Sequence, residues 1–250
     1  MAPLIGADGC SAGKCRNGVP HYQTRGLTMA LENLPSRLYQ QFAHVGQALA
    51  SPQRIQIINL LCQSARSVDE LADELGQSAA NTSAHLKVLR EAHLIEIRRE
   101  GRKVYCSLTS NSAIRLWMAL RDFGMEEIPE VREMMREYAQ EDVLMEQVVG
   151  KDVLDMVRAG DALLLDIRPA SEFEAGHLPL ARSMPFDELE ARLAELPRDK
   201  IIVIYRRSPF CVGSVKAVDL LKKAGFQAKR LHGGVAEWRA AGRPLEGMTA

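Results

Sequence analysis

Two apolar runs constrain this chain more than any other feature. Residues 162–167, ALLLDI, and 201–205, IIVIY, run apolar without alternation, broken only by Asp166 near the end of the first. A strand with one wetted face alternates. An unbroken run belongs to a strand covered on both faces, as in a parallel sheet flanked by helices. The second run ends abruptly at a basic, proline-containing turn, RRSPFC, and a helical pattern follows with Val215, Val218, Leu220 and Leu221 on its apolar side. In a strand, tight turn and helix start of this kind, backbone N–H groups converge on an anion or a thiolate. The stretches KAVDLLKKAGF and GGVAEWRAAG read as helices closed by glycine, and AKRLHG as a further short strand. Residues 148–247 therefore predict a small α/β domain with a parallel sheet.

The first half has a different rhythm. SPQRIQIINLLCQSA (51–65) begins at a serine cap and carries Ile55, Ile58 and Leu61 on one side. SVDELADELG (67–76) is a short helix with acidic residues at its start and Gly76 as its stop. SAANTSAHLKVLREAHLI (78–95) begins at Ser78 and carries Leu86, Leu89 and Leu94 on one face. IEIRREGRKVYCSLT alternates on both sides of Glu100-Gly101, a hairpin signal. NSAIRLWMALRDFG (111–124) predicts a helix ending at Gly124. The charged, Met-rich residues 125–147 predict a linker helix with Val131, Met134, Met135 and Tyr138 on one face. Residues 1–28 show no hydrophobic period and are expected to be a disordered tail. The helical pattern that starts directly after Met29 reads as the true beginning of the first domain, 29–124.

Composition excludes some function classes. The 250 residues are 46% hydrophobic and 26% charged, within the range of globular proteins. No run approaches the roughly 18 apolar residues of a membrane span, and no secretory h-region is present, so a cytoplasmic location with no membrane partner is expected. Five cysteines in such a chain make no disulfide framework. Cys10 and Cys15 form a C-x4-C pair without further ligands nearby, so no metal site is expected, and no cofactor is implied. Formal net charge is zero, so binding to nucleic acid needs a local patch.

Such a patch exists. Between Ala84 and Val104, Lys87, Arg90, Arg98, Arg99, Arg102 and Lys103 face Glu91, Glu96 and Glu100, an excess of +3. Two short helices joined by a turn, then a basic hairpin, make a winged helix-turn-helix. The order over residues 36–124, carried by LASPQRIQIINLL and SVDELADELGQSAANTSAHLKVLREAHLIEIRREGRKVYCSL, resembles the ArsR family of bacterial repressors. The short polar side chains Ser78, Asn81 and Ser83 lie at the N-terminal part of the recognition helix, within reach of base edges. Lys87, Arg99, Arg102 and Lys103 suit phosphate. His85 lies beside phosphate or packs under the helix. A single module of this kind buries only about 600–1,000 Å² on DNA. A homodimer on near-palindromic double-stranded operator DNA is therefore expected, and the resemblance implies the first and last helices of the domain as its contact.

Relatives that sense metal carry, by resemblance, a Cys-x-Cys pair on the helix before the recognition helix, or Asp, His and Glu ligands after the wing. Here VDELADEL has no cysteine and AIRLWMALRDFG no histidine, which argues against a metal sensor. Other relatives sense persulfide through two cysteines. Cys62 and Cys106 are the candidates for such redox chemistry, against the plainer reading as small buried hydrophobes.

The second half resembles the rhodanese family of sulfurtransferases across residues 145–247. LLLDIRPASEFEAGHLPLARSMP matches its first signature and LHGGVAEW its second, and IIVIYRRSPFCVGS falls where that family carries its active-site loop. Rhodaneses move a sulfane sulfur through a cysteine persulfide on the first loop residue. Here that residue is Arg206, an apparent single substitution on an otherwise intact loop. Arginine cannot accept sulfur. Arg207 and Cys211 remain as loop candidates, Cys211 being the sixth loop residue, near a helix start that can lower a thiol pKa. Asp166, Arg168, Glu172 and His177 read first as groups that pin neighbouring loops, and Trp238 as core.

These readings converge on a DNA-binding transcriptional repressor of the ArsR type fused to a rhodanese-like domain that handles a sulfane-sulfur or oxyanion ligand. The alternatives are a sulfurtransferase with a DNA-binding or dimerising module, and a repressor with a non-catalytic anion-binding domain.

Overall fold

The computed structural model describes residues 33–139, 147–208 and 212–247. The expectations about the tail 1–28, Cys10, Cys15 and Met29 concern residues outside these, as does Cys211.

Helix α1 (Leu34–Leu49) exposes Leu34, Leu38 and Phe42 at four-residue spacing, with Tyr39 beside them, and buries Ala48 and Leu49 at its end. Pro52 starts α2 (Pro52–Leu61), where its missing N–H costs nothing. Ile57, Ile58, Leu60 and Leu61 are all buried. The apolar surface is wider than the Ile55/Ile58/Leu61 stripe because α2 is central, touched by the two helices that follow it, the wing and the helix after the wing.

Strand β1 (Arg66–Ser67) leads into α3 (Val68–Leu75). Ser67 and Glu70 form a reciprocal capping box, and Gly76 ends the helix at a left-handed φ of 62°. Ser78 caps α4 (Ala79–Glu91) by accepting from Asn81 N. The period-based boundary at residue 95 is too long. The helix stops at Glu91, His93 takes a positive φ of 56°, and Leu94 and Ile95 turn inward as the wing begins. The wing is β2 (Ile95–Glu100) paired antiparallel with β3 (Lys103–Leu108), and Gly101 supplies the positive φ of 60° that the tight turn needs. β1 adds to β3 in the order β1-β3-β2.

Helix α5 (Asn111–Glu127) runs past Gly124, the end that the sequence pattern predicts. Its stop is Ile128, extended at ψ 114° because Pro129 follows and disfavours helix at the preceding residue. Pro129 then opens α6 (Pro129–Ala139), within the segment read as a linker helix.

The second layer of structure is a five-stranded, all-parallel sheet in the order β4-β8-β7-β5-β6. Its strands are β4 (Gln147–Val149), β5 (Ala162–Asp166), β6 (Arg182–Ser183), β7 (Ile201–Tyr205) and β8 (Ala228–His232). Helices α7 (Gly150–Ala159), α8 (Ala170–Ala175), α9 (Val212–Lys223) and α10 (Val235–Ala240) complete it. The unbroken apolar runs are explained by two cores. Leu165, Ile202 and Ile204 pack with Ala217, Leu221 and Phe226, whereas Leu164, Val203 and Tyr205 pack with Val153, Val235 and Trp238. Trp238 is a core residue, its indole N–H donating to Pro244 O at 2.8 Å.

The helical and α/β portions pack on one another. Ala236 of α10 belongs to the same buried cluster as Ile58, Leu89 and Trp117, and α10 lies against α5.

Candidate functional site

The basic surface is built by α4 and the wing. Ser78, Asn81 and Ser83 are exposed on the first turns of α4, His85 is half-buried, and Lys87 is exposed. Leu86, Leu89 and the fully buried Thr82 anchor the opposite face of the helix in the core. The helix start therefore presents small polar side chains outward, with its dipole favouring an approaching phosphate. Arg99, Arg102 and Lys103 are exposed at the wing tip, where Arg99 pairs with Val104 in the ladder. Lys87 stands 3.9 Å from Glu91 and Arg98 2.5 Å from Glu100, pairs exposed enough to exchange for phosphate contacts.

Cys62 and Cys106 are both fully buried in the helical core. Burial pushes the Cys62 thiol up to about 12 and the Cys106 thiol up to about 11. Both are protonated thiols at neutral pH, an environment that suits packing.

In the α/β portion, the C-terminal ends of the strands carry the polar cluster. Asp166 and Arg168 are completely buried. Arg168 donates from Nε and Nη2 to the Asp166 carboxylate at 2.6–3.0 Å, and from Nη2 to Gly176 O at 2.9 Å. The pair thus pins the loop between α8 and β6. His177 is pinned as well, its Nδ1 2.8 Å from Phe173 O and its ring stacked on Phe173 at 3.6 Å between centroids. Tyr205 ends β7, and its hydroxyl accepts from Leu178 N at 3.2 Å. Burial drives that phenol's pKa far above its ordinary value.

Arg206 follows directly. Its carbonyl passes so close to Gly234 that a Cβ there would meet it at 2.6 Å. Its guanidinium folds over the first turn of α9, where a Cβ on Gly213 would lie 2.0 Å from Arg206 Nη1, and it also stands 5.8 Å from the Phe186 ring. Gly213 thus makes room for the guanidinium, and Gly234 for the backbone of the loop at position 206.

Arg207 turns the other way. Its Nε donates to Glu172 at 2.7 Å, and its Nη1 and Nη2 donate to the two oxygens of Glu74, on α3, at 3.1 and 2.8 Å. Arg66 of β1 joins the same two carboxylates, paired with Glu172 and 3.5 Å from Glu74. Gln63, also from the helical portion, donates to Arg207 O at 3.0 Å and accepts from Arg168 at 3.4 Å. Arg239 donates to Cys62 O at 3.0 Å, and Arg121 of α5 pairs with Glu237 of α10 at 2.7 Å. Gln63, Arg66 and Glu74 were not among the sequence candidates. Nothing local marks them, because each acts on a residue about a hundred or more positions away. Among the described residues no cluster of His, Cys, Asp or Glu could hold a metal ion, and no helix is long and apolar enough to cross a membrane.

Comparison with known proteins matches both portions. Residues 51–96 fit the family model described as bacterial regulatory protein, arsR family, and residues 150–241 the rhodanese-like domain. The chain is 37% identical over 212 residues to the HTH-type transcriptional regulator Rv0324 of Mycobacterium tuberculosis, covering 84% of this chain and 92% of that protein. It is 35% identical over 87 residues to a transcriptional repressor SmtB homolog of Synechocystis, covering 35% of this chain and 66% of that one. A sulfurtransferase of Allochromatium vinosum is 35% identical over 86 residues, covering 34% of this chain and 78% of its own length. The chain belongs to the ArsR family of bacterial regulatory proteins, as a DNA-binding transcriptional regulator that carries a rhodanese-like domain.

Proposed function

We propose that this regulator is a cytoplasmic homodimeric repressor whose rhodanese-like domain receives a sulfane-sulfur compound or an oxyanion without transferring sulfur. Two copies read a near-palindromic operator. Ser78, Asn81 and Ser83 face base edges, and His85, Lys87, Arg99, Arg102 and Lys103 lie along phosphates. The exposed apolar rows support the dimer: Leu34, Leu38 and Phe42 on α1, and Leu116, Leu120 and Phe123 on α5.

The observation that carries the non-catalytic reading is Arg206. It occupies the first loop position after β7, and its guanidinium lies over the start of α9. A guanidinium stays charged and has no lone pair with which to attack sulfur. Set at a helix start, it raises the positive potential already there and suits an anion as ligand. The second reading makes Cys211 the sulfur carrier, on the ground that it immediately precedes α9. Mass spectrometry of the full chain after thiosulfate treatment separates the two. No sulfur adduct on Cys211 is expected. An adduct there that cyanide removes, and that Cys211→Ser abolishes, establishes the second reading instead. Selection from random duplexes tests the DNA side: inverted repeats are expected, and enrichment of isolated half-sites overturns the dimer.

A further inference from the structure

The loop that begins at Arg206 is wired to the DNA-reading motif. Three carboxylates and three guanidiniums meet there: Asp166, Glu172 and Glu74 against Arg168, Arg66 and Arg207. Asp166, Arg168 and Glu172 are at most 1% exposed and come from the rhodanese-like half, whereas Arg66 and Glu74 come from the helical half. Arg207 reaches from the rhodanese-like half to a carboxylate of each half, Glu172 through Nε and Glu74 through its forked Nη pair, while Arg66 reaches from the helical half to the same two carboxylates but stands 3.5 Å from Glu74. A planar guanidinium is suited to such double duty, and an ammonium is not. The cluster is also under-satisfied. Arg66 Nε and Glu172 Oε2 are buried and accept or donate no hydrogen bond among the described residues.

We propose that Arg207 is the pin of an interdomain latch: it holds α3, the first helix of the reading motif, to the rhodanese-like loop, so that displacing the loop displaces α3. Any anion that draws Arg207 toward the start of α9 competes directly with Glu74 and Glu172. The signal then needs no long relay, because one side chain spans from the loop to the motif. Differential contact of Arg207 in two loop states is what such coupling requires.

Hydrogen exchange on the full chain tests it without DNA or ligand. Glu74→Gln and Arg207→Gln are each expected to raise amide exchange in α3 by roughly tenfold, with exchange in β5 unchanged as the control for folding. Their combination should do less than the product of the two, because both remove the shared Arg207–Glu74 contact. If Arg207→Gln fails to fold, Arg207→Lys takes its place, since it keeps a countercharge for Glu172 but cannot fork to Glu74, and the same rise is expected. Exchange in α3 that stays at the parental level in Glu74→Gln and in the folded Arg207 variant overturns the latch, as do effects that multiply in the double variant.

Discussion

Gln63 Nε2 donates to the backbone carbonyl of Arg207 at 3.0 Å across 144 positions of sequence. The corner after the central helix of the DNA reader is therefore part of the support of the rhodanese-like loop. Gln63 is 2% exposed, and its Oε1 also accepts from Arg168. Gln63→Ala should leave both groups short of a buried partner and destabilise the chain by about 1–3 kcal/mol. Urea unfolding followed by circular dichroism measures this. A midpoint equal to the parent's means that water replaces the amide and that Gln63 is not a structural tie.

The wing should contribute to affinity through phosphate. Arg102→Ala or Lys103→Ala should weaken binding to all duplexes alike and reduce the slope of log K against log salt by about one phosphate contact. Fluorescence anisotropy across a salt series gives the slope. A slope and affinity equal to the parent's in both variants would remove the wing tip from the interface.

Phe123 is 61% exposed on α5, on the same helix as the exposed Leu116 and Leu120. Phe123→Asp should convert the dimer to monomer in sedimentation and weaken operator binding by roughly a hundredfold, about 2.7 kcal/mol. A dimer that persists at micromolar concentration moves the contact elsewhere.

The parts of this molecule that could be read from sequence are those set by local pattern. The reading helix was legible from Ser78 and its leucines, the hairpin from alternation around Gly101, and the parallel sheet from the unbroken runs. Ends decided by a single backbone angle were less legible. Gly124 looks like a stop but lies inside α5, and it is Pro129, acting on Ile128, that ends the helix. His93 in a left-handed conformation cuts α4 short of its apolar period. Position 206 stood out because a charged residue replaces the expected nucleophile. The partnership of Arg207 with Glu74 and Arg66 could not be read, since ion pairs between distant segments leave no spacing in a sequence.

The buried cysteines make an alkaline signature. Their folded pKa values are raised by burial from 9.0 to about 12 for Cys62 and about 11 for Cys106. A group whose neutral form is favoured in the fold contributes fully below its unfolded pKa, and that contribution is lost as pH rises toward the folded value. Stability should therefore be level near pH 8 and fall between about pH 9 and 12, less steeply in Cys106→Ala. At pH 8 a thiol reagent should label neither cysteine in the folded chain and both in urea, as peptide mass spectrometry reads. Rapid labelling of folded Cys62 would instead return it to the list of sensor residues.

The claim that the rhodanese-like domain receives a signal without turning over sulfur is tested most directly by thiosulfate-to-cyanide sulfur transfer, measured on the full chain and on Arg206→Cys. The parent should show no turnover above the uncatalysed rate, because position 206 carries a guanidinium over the start of α9. Arg206→Cys should gain turnover, because the surrounding frame of Asp166, Arg168 and the Gly234 turn is in place to seat a thiolate at that helix start. Turnover by the parent at a rate matching the Arg206→Cys variant would contradict the account.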